Sequence, residues 1–530
     1  QQFPTNILRI PVHLRIIITI PCQSIKNALN AGIFNITISL KKDTLFMTFS
    51  SILFLFFFLP AALLFCRYDV FIPPSVKRRM SVQTKKKHFK IENLFILIFS
   101  LFFYGWGEPK YIAVMAFSIL FNYVMGRIVA KSRPLLILCI AGDLAILGFF
   151  KYTDFVIETV NAVSGGGLGL LNIALPIGIS FYTFQTMSYI IDVYRGKVLP
   201  QRDFIAFAAY VTLFPQLIAG PIVRYSDVAE MLVGRKTNLD QIAEGVRRFI
   251  VGFGKKVLLA NQVYVIWNEI TLMPVSEIST SAAWLGALAF TFQIYFDFSG
   301  YSDMAIGLGK IFGFDYLENF NYPYISRSIT EFWRRWHMSL SSWFKEYVYI
   351  PLGGNRKGLP RQILNIAVVW ALTGLWHGAS WNFVAWGMYF GVILILEKLW
   401  ILKWLEKCPA PVGHLYSLIL IVLGWVIFAL TDFGQMREYM QVMFGGTADF
   451  VDGNFKYLAW SRIWVLIACT IGSTPLVKLV CERIAGTLSG VKNGEVILGV
   501  LETVVLLSIL ALSIAFLVSG SYNPFLYFRF

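Results

Sequence analysis

Residues 362–396 read QILNIAVVWALTGLWHGASWNFVAWGMYFGVILIL, 35 consecutive positions without Asp, Glu, Lys or Arg. As a single α-helix this run would be roughly 52 Å long, against a bilayer hydrocarbon core of about 30 Å. It must therefore break, and Gly374 and Gly378 flank its one ionisable side chain, His377. Two geometries meet that demand. Either His377 lies in a surface turn between two ordinary spans, or it lies in a broken segment lining a cavity, where irregular backbone is tolerated at depth. An imidazole held at membrane depth must face protein, a cavity or water, which makes it a functional candidate.

The whole chain fits this setting. Of its 530 residues, 57% are hydrophobic and 14% charged, whereas soluble domains average about 45–50% apolar and 25% charged. The net charge of +16 would point to nucleic acid in a soluble domain. Here the basic residues gather in short loops between apolar runs, so topology explains them and no nucleic-acid partner is expected. Residues 67–90 hold Arg67, Lys77, Arg78, Arg79, Lys85, Lys86, Lys87 and Lys90 against Asp69, and the positive-inside rule puts this loop in the cytoplasm.

About eleven apolar runs near the length of a span follow from Phe49 onward, with further segments broken by Gly or Pro. They fall near 51–65, 93–106, 112–129, 134–150, 170–191, 204–219, 249–266, 282–296, 363–376, 380–396, 415–430, 464–480 and 496–518. Residues 297–361 read as the one soluble-looking stretch. Residues 1–46 alternate apolar and basic residues without clean periodicity and precede Met47, which resembles a natural start. They are expected to be an upstream extension or disordered leader, leaving 47–530 as a single membrane domain. Cys22, Cys66, Cys139, Cys408, Cys469 and Cys481 show neither CxxC pairing nor zinc spacing and are expected to be small buried apolar residues. No metal site is expected.

Residues 330–343 (TEFWRRWHMSLSSW) place Phe332, Trp333, Trp336, Leu340 and Trp343 at helical spacing, with Arg334, Arg335 and Lys345 on other faces. This predicts an amphipathic helix at the membrane interface, in contact with lipid or with an anionic group. A second histidine, His337, lies on it. A neutral imidazole, with an unperturbed pKa of about 6.5, can take a proton from a hydroxyl as it attacks an acyl carbonyl. No GxSxG elbow, HExxH pair or P-loop accompanies the histidines. The Gly-rich residues 164–169 lack the lysine and following hydroxyl of a phosphate cradle. An enzyme built this way would position two substrates around a base.

The strings FQIYFDFSGYSDMAIGL (292–308), ENFNYPYISRSITEFWRRWH (318–337) and LTGLWHGASWN (372–382) closely resemble the membrane-bound O-acyltransferase family. The likeness is nearest to the branch typified by the alginate O-acetylation membrane protein. FPQLIAGPIVR (214–224), PIGISFYTFQ (176–185) and FYGWGEPK (103–110) extend it. The resemblance implies an all-α integral membrane fold, a polytopic ring of about 11–13 helical spans around a funnel or tunnel, with the family's histidine at His377 and its second position at His337.

It further implies an O-acyltransferase with His377 as general base and His337 positioning or polarising. Trp376, Asn382, Arg334, Arg335, Asp297 and Ser341 are the candidate substrate-binding residues. Packing competes as the role of Trp376, and internal pairing as that of Asp297. The expected donor is acetyl-coenzyme A or an acyl carrier thioester on the cytoplasmic side, with no bound cofactor. The acceptor would be an extracytoplasmic polysaccharide such as alginate, cellulose or another cell-surface glycan. In this branch a separate SGNH-hydrolase-type acetyltransferase and a polysaccharide biosynthesis complex are the expected partners, at a bacterial inner membrane and in contact with its lipid. A polysaccharide or lipid transporter, or a non-catalytic anchor for a secreted acetyltransferase, are the alternatives.

Overall fold

Unpaired backbone groups are too costly in hydrocarbon, so a chain this apolar must close its hydrogen bonds within helices. The computed structural model describes residues 47–67, 81–218, 220–235, 238–446, 449–491, 493–519 and 526, and these contain helices and no strand. The expected leader and residues 68–80 of the basic loop lie outside the described residues.

The principal helices are α1 (Val82–Gly107), α2 (Ile112–Ile128), α3 (Arg133–Ser164), α4 (Ile179–Tyr194), α5 (Leu239–Gly254), α6 (Asn261–Leu272) and α7 (Thr280–Phe312). Two short ones, α8 (Ile329–Arg335) and α9 (Met338–Phe344), precede α10 (Leu359–His377), α11 (Trp381–Leu396), α12 (Ala410–Ala429) and α13 (Gly494–Ser519). Local signals set their ends. Ser81 accepts the Thr84 N–H ahead of α1, Pro134 occupies the first turn of α3, and Gly313 closes α7 in the left-handed region.

Among the described residues seven helices are long and apolar enough to cross a membrane, or eight if the bent pair Ile463–Gly472 and Leu476–Ser489 is one span. The chain is an all-α, multi-pass membrane protein. On α1, Leu94, Ile98, Phe102 and Trp106 are exposed at four-residue spacing, an apolar stripe of the kind that meets lipid. Neither α7 nor α10 is among the seven. The reason on α7 is polar content turned inward: Gln293, Asp297, Ser299, Ser302 and Asp303 are all buried.

Three expectations are corrected. The soluble-looking stretch does not begin at Asp297, because α7 runs on to Phe312. The helix expected over 330–343 is broken at Trp336–His337, and Phe332, Trp336, Leu340 and Trp343 are buried against protein aromatics instead of an interface. The spans expected over 170–191 and 204–219 begin late or break, at Ile179 and around Leu213. The expected burial of the cysteines holds for Cys66, Cys139 and Cys469 and is also corrected, since Cys408 is half-buried and Cys481 exposed, while Cys22 lies outside the described residues.

α5 and α7 pack backbone against backbone. A Cβ at Gly252 would meet the Gly300 carbonyl oxygen at 2.6 Å, and one at Gly245 would meet that of Gly307 at the same distance. Both pairs recur after two turns on antiparallel helices, so the backbones touch along a seam of small residues, the usual basis of helix association in lipid. Gly300→Leu is expected to destabilise the protein by at least about 1–3 kcal/mol through overpacking. Gly148→Leu, where a Cβ has nothing within 4 Å, should be neutral. The monodisperse fraction after detergent extraction distinguishes them.

Candidate active site

The long uncharged run breaks directly after His377. α10 and α11 turn back on each other through Gly378, Ala379 and Ser380, and the hairpin is tight because a Cβ at Gly374 would meet the Phe383 carbonyl oxygen at 2.5 Å. His377, the last residue of α10, is 8% exposed. Of the two geometries open to it, the structure adopts the buried, cavity-lining one. Its ring meets Trp386 at 4.9 Å, Trp376 at 5.0 Å and Phe428 at 5.4 Å, all edge-to-face. His377 Nδ1 is buried with no hydrogen-bond partner among the described residues.

His337 joins α8 to α9 with φ 43° and ψ 54°, a conformation costly for a residue with a Cβ. Backbone pairing on both sides holds it there: Asn321 N–H donates to the Arg335 carbonyl at 2.9 Å, and Met338 N–H to the Asn319 carbonyl at 3.0 Å. From outside, Glu397 accepts the Ile329 and Thr330 N–H groups, each at 2.7 Å, and so caps α8 with a carboxylate. The Asn319 Oδ1 accepts the Ser339 N–H at 3.3 Å and its hydroxyl at 2.9 Å, which fixes the amide oxygen toward the ring. His337 Nδ1, 3.0 Å from that oxygen, must then carry the hydrogen. Nε2 is left as a buried lone pair with no partner among the described residues.

Two cavities meet at His377. The first, about 260 Å³, is lined by both histidines with Trp333, Trp370, Arg334 and Lys345. The second, about 90 Å³, is lined by His377 and Trp376 with Lys151, Ile177 and Ser180.

The structure therefore gathers five of the candidates around these spaces. His337, His377, Arg334 and Ser341 line the first cavity and Trp376 the second, with Ser341 also donating to the Trp333 carbonyl at 3.2 Å. Three stand elsewhere. Asp297 is 2.5 Å from the buried Lys256 ammonium and accepts the Leu526 N–H at 2.8 Å. Asn382 donates to the Phe428 carbonyl at 3.1 Å, tying α11 to α12. Arg335 pairs with Glu331 at 2.9 Å.

Asn319, Ser339, Lys151 and Ser180 were not singled out from sequence. Lys151 alone carried a signal, a cation inside an apolar helix. No group of three or more His, Cys, Asp or Glu able to hold a metal ion occurs among the described residues.

A family model described as the membrane-bound O-acyltransferase family matches residues 199–431, a stretch that includes both histidines and α7 to α12. A probable alginate O-acetylase, AlgI, of Pseudomonas putida is 38% identical over 515 residues, covering 91% of this chain and 100% of that protein. The peptidoglycan O-acetyltransferase of Helicobacter pylori is 33% identical over 75% of this chain and 80% of its own length. A teichoic acid D-alanyltransferase of Streptococcus thermophilus is 29% identical over 48% and 64%. With a relative at this identity matched from end to end, the chain belongs to the membrane-bound O-acyltransferase family and is a multi-pass membrane acyltransferase.

Proposed function

We propose that this protein takes an acetyl group from a cytoplasmic thioester, by default acetyl-coenzyme A and otherwise an acyl carrier protein, and delivers it to a hydroxyl on the far side of a bacterial inner membrane. The product serves O-acetylation of a cell-surface glycan such as alginate or cellulose, completed by a separate SGNH-hydrolase-type transferase. The observation that carries this reading is the pair of histidines with free ring nitrogens on the first cavity, of which His377 also lines the second. The first cavity has exposed Arg334 and Lys345 on its lining, and the adjoining segment carries Arg356, Lys357 and Arg361. That basic end fits the cytoplasmic side and an anionic thioester donor.

In the transfer, the acceptor O–H gives its proton to His377 while its oxygen attacks the thioester carbonyl carbon. The carbon–sulfur bond then breaks, and the thiolate takes the proton back from the imidazolium. One ester and one thiol replace one alcohol and one thioester. The lone pair at His337 Nε2 orients a donor hydrogen in the first cavity. The fixed tautomer of His337 favours a second assignment, in which it is the base and His377 orients.

The reading is tested by O-acetyl ester content of surface polysaccharides in a deletion strain. Wild type should restore the esters, and His377→Ala should fail at equal membrane abundance, with transfer lower by about 100-fold or more. Full restoration by His377→Ala would favour transport or anchoring instead. Asn319→Ala removes the amide oxygen that holds the His337 ring and Ser339, and should cut transfer by about tenfold or more while leaving donor KM little changed. Steady-state kinetics on membranes measures this.

A further inference from the structure

Arg67, Lys151 and Lys256 are the buried cations among the described residues. Lys256 faces the Asp297 carboxylate at 2.5 Å. Lys151, 8% exposed, meets no carboxylate within ion-pair distance among the described residues. Its ammonium donates to the Trp376 carbonyl, lies 3.3 Å from the Ser180 hydroxyl and stands 5.9 Å over the Trp376 ring. Taking an ammonium out of water costs several kcal/mol where no anion compensates it, so packing alone does not account for a lysine at this place.

Its surroundings supply an account. Helix α10 ends at His377, and its last carbonyls have no partner within the helix. Tyr152 donates to the Leu375 carbonyl at 2.7 Å and Lys151 to the next one, so consecutive residues of α3 cap the helix end that carries His377. A cation there also suits the negative end of the helix dipole. An ammonium has three N–H groups. Two are used, and Lys151 and Ser180 both line the second cavity, whose other wall is His377. The neutral capping partner, Tyr152, does not line that cavity.

We propose that Lys151 positions His377 and that its remaining N–H donates to the oxygen of the hydroxyl acceptor, making the second cavity the acceptor subsite. The proposal rests on the acyl-transfer reading above. The ammonium fixes the helix end from which the imidazole projects. It also offers positive charge to an oxygen that becomes more negative as its proton leaves for the histidine.

The test uses the full chain in lipid nanodiscs, with labelled acetyl-coenzyme A as donor and glycerol as the hydroxyl probe. Thiol release and glycerol ester are both followed, and the double variant His337→Ala/His377→Ala is the blank. Lys151→Met should shift the melting temperature by only a few degrees, because loss of the Trp376 carbonyl's cap is offset by removal of an uncompensated buried charge. Its kcat should fall by about tenfold or more and its KM for glycerol should rise, with KM for acetyl-coenzyme A within about twofold. Lys151→Arg should recover part of the loss, and Tyr152→Phe, which removes a cap and leaves the charge, should lose less.

Unchanged kcat and glycerol KM in Lys151→Met would overturn the proposal. So would a fall in melting temperature in both Lys151 variants with all kinetic constants reduced in parallel, which would make the lysine a folding element. If wild type releases no more thiol than the double variant His337→Ala/His377→Ala, the acyl-transfer reading itself fails and the Lys151 assignment goes with it. The blank separates that result from the others.

Discussion

Everything at the centre of this protein depends on satisfying helix ends that stop inside the fold. A helix that stops there leaves carbonyls or N–H groups without partners, and hydrocarbon supplies none. Here each such end is met from another part of the chain. Glu397, in the turn of helix following α11, caps the start of α8; Lys151 and Tyr152 of α3 cap the end of α10; backbone at 319–321 pairs across the α8–α9 break. These are the ends that carry His337 and His377. The requirement to pair backbone thus also fixes the two imidazoles, and a change in a cap is felt at the ring.

The two buried amines show how differently a membrane protein uses charge. Lys256 and Asp297 compensate each other, and Asp297 also takes the Leu526 N–H, so the pair ties α7 to the helical turn after α5 and to Leu526. Such a pair is close to neutral in energy and costly to halve. Lys151 has only neutral partners and lines the cavity beside it. A cost left uncompensated within reach of His377 is the kind of local conflict that marks function.

The sequence made the break near His377 legible because length alone forbids a helix of that run. It could not choose between a surface turn and a buried one, since that choice depends on what covers the turn. Trp386 and Phe428 do so, one from α11 and one from α12. The break at His337 was hidden for a different reason. Both short helices bury the same aromatic side, so the apolar period reads through the interruption, while the left-handed residue is imposed by Asn319 and Asn321, sixteen or more positions upstream. Asp297 and Asn382 lie in the densest motifs yet away from the cavities. Motif density there reflects buried polar pairing, which constrains residue identity as tightly as a substrate does.

Cavity size bears on what reaches His377 from each side. The first space, about 260 Å³, exceeds the roughly 150 Å³ that admits benzene in an engineered core, and has room for an acetyl group with part of a thioester arm. The second, about 90 Å³, is below that benchmark and has no room for a sugar ring as it stands. Under the acyl-transfer reading, a polymer therefore meets the histidine only if the walls at Ile177 and Trp376 move, or not at all. A single hydroxyl on a slender arm needs no such movement. That asymmetry suits a relay of acetyl groups to a separate transferase, and on the proposal that the smaller cavity takes the acceptor it puts the discrimination between acceptors in that cavity's walls.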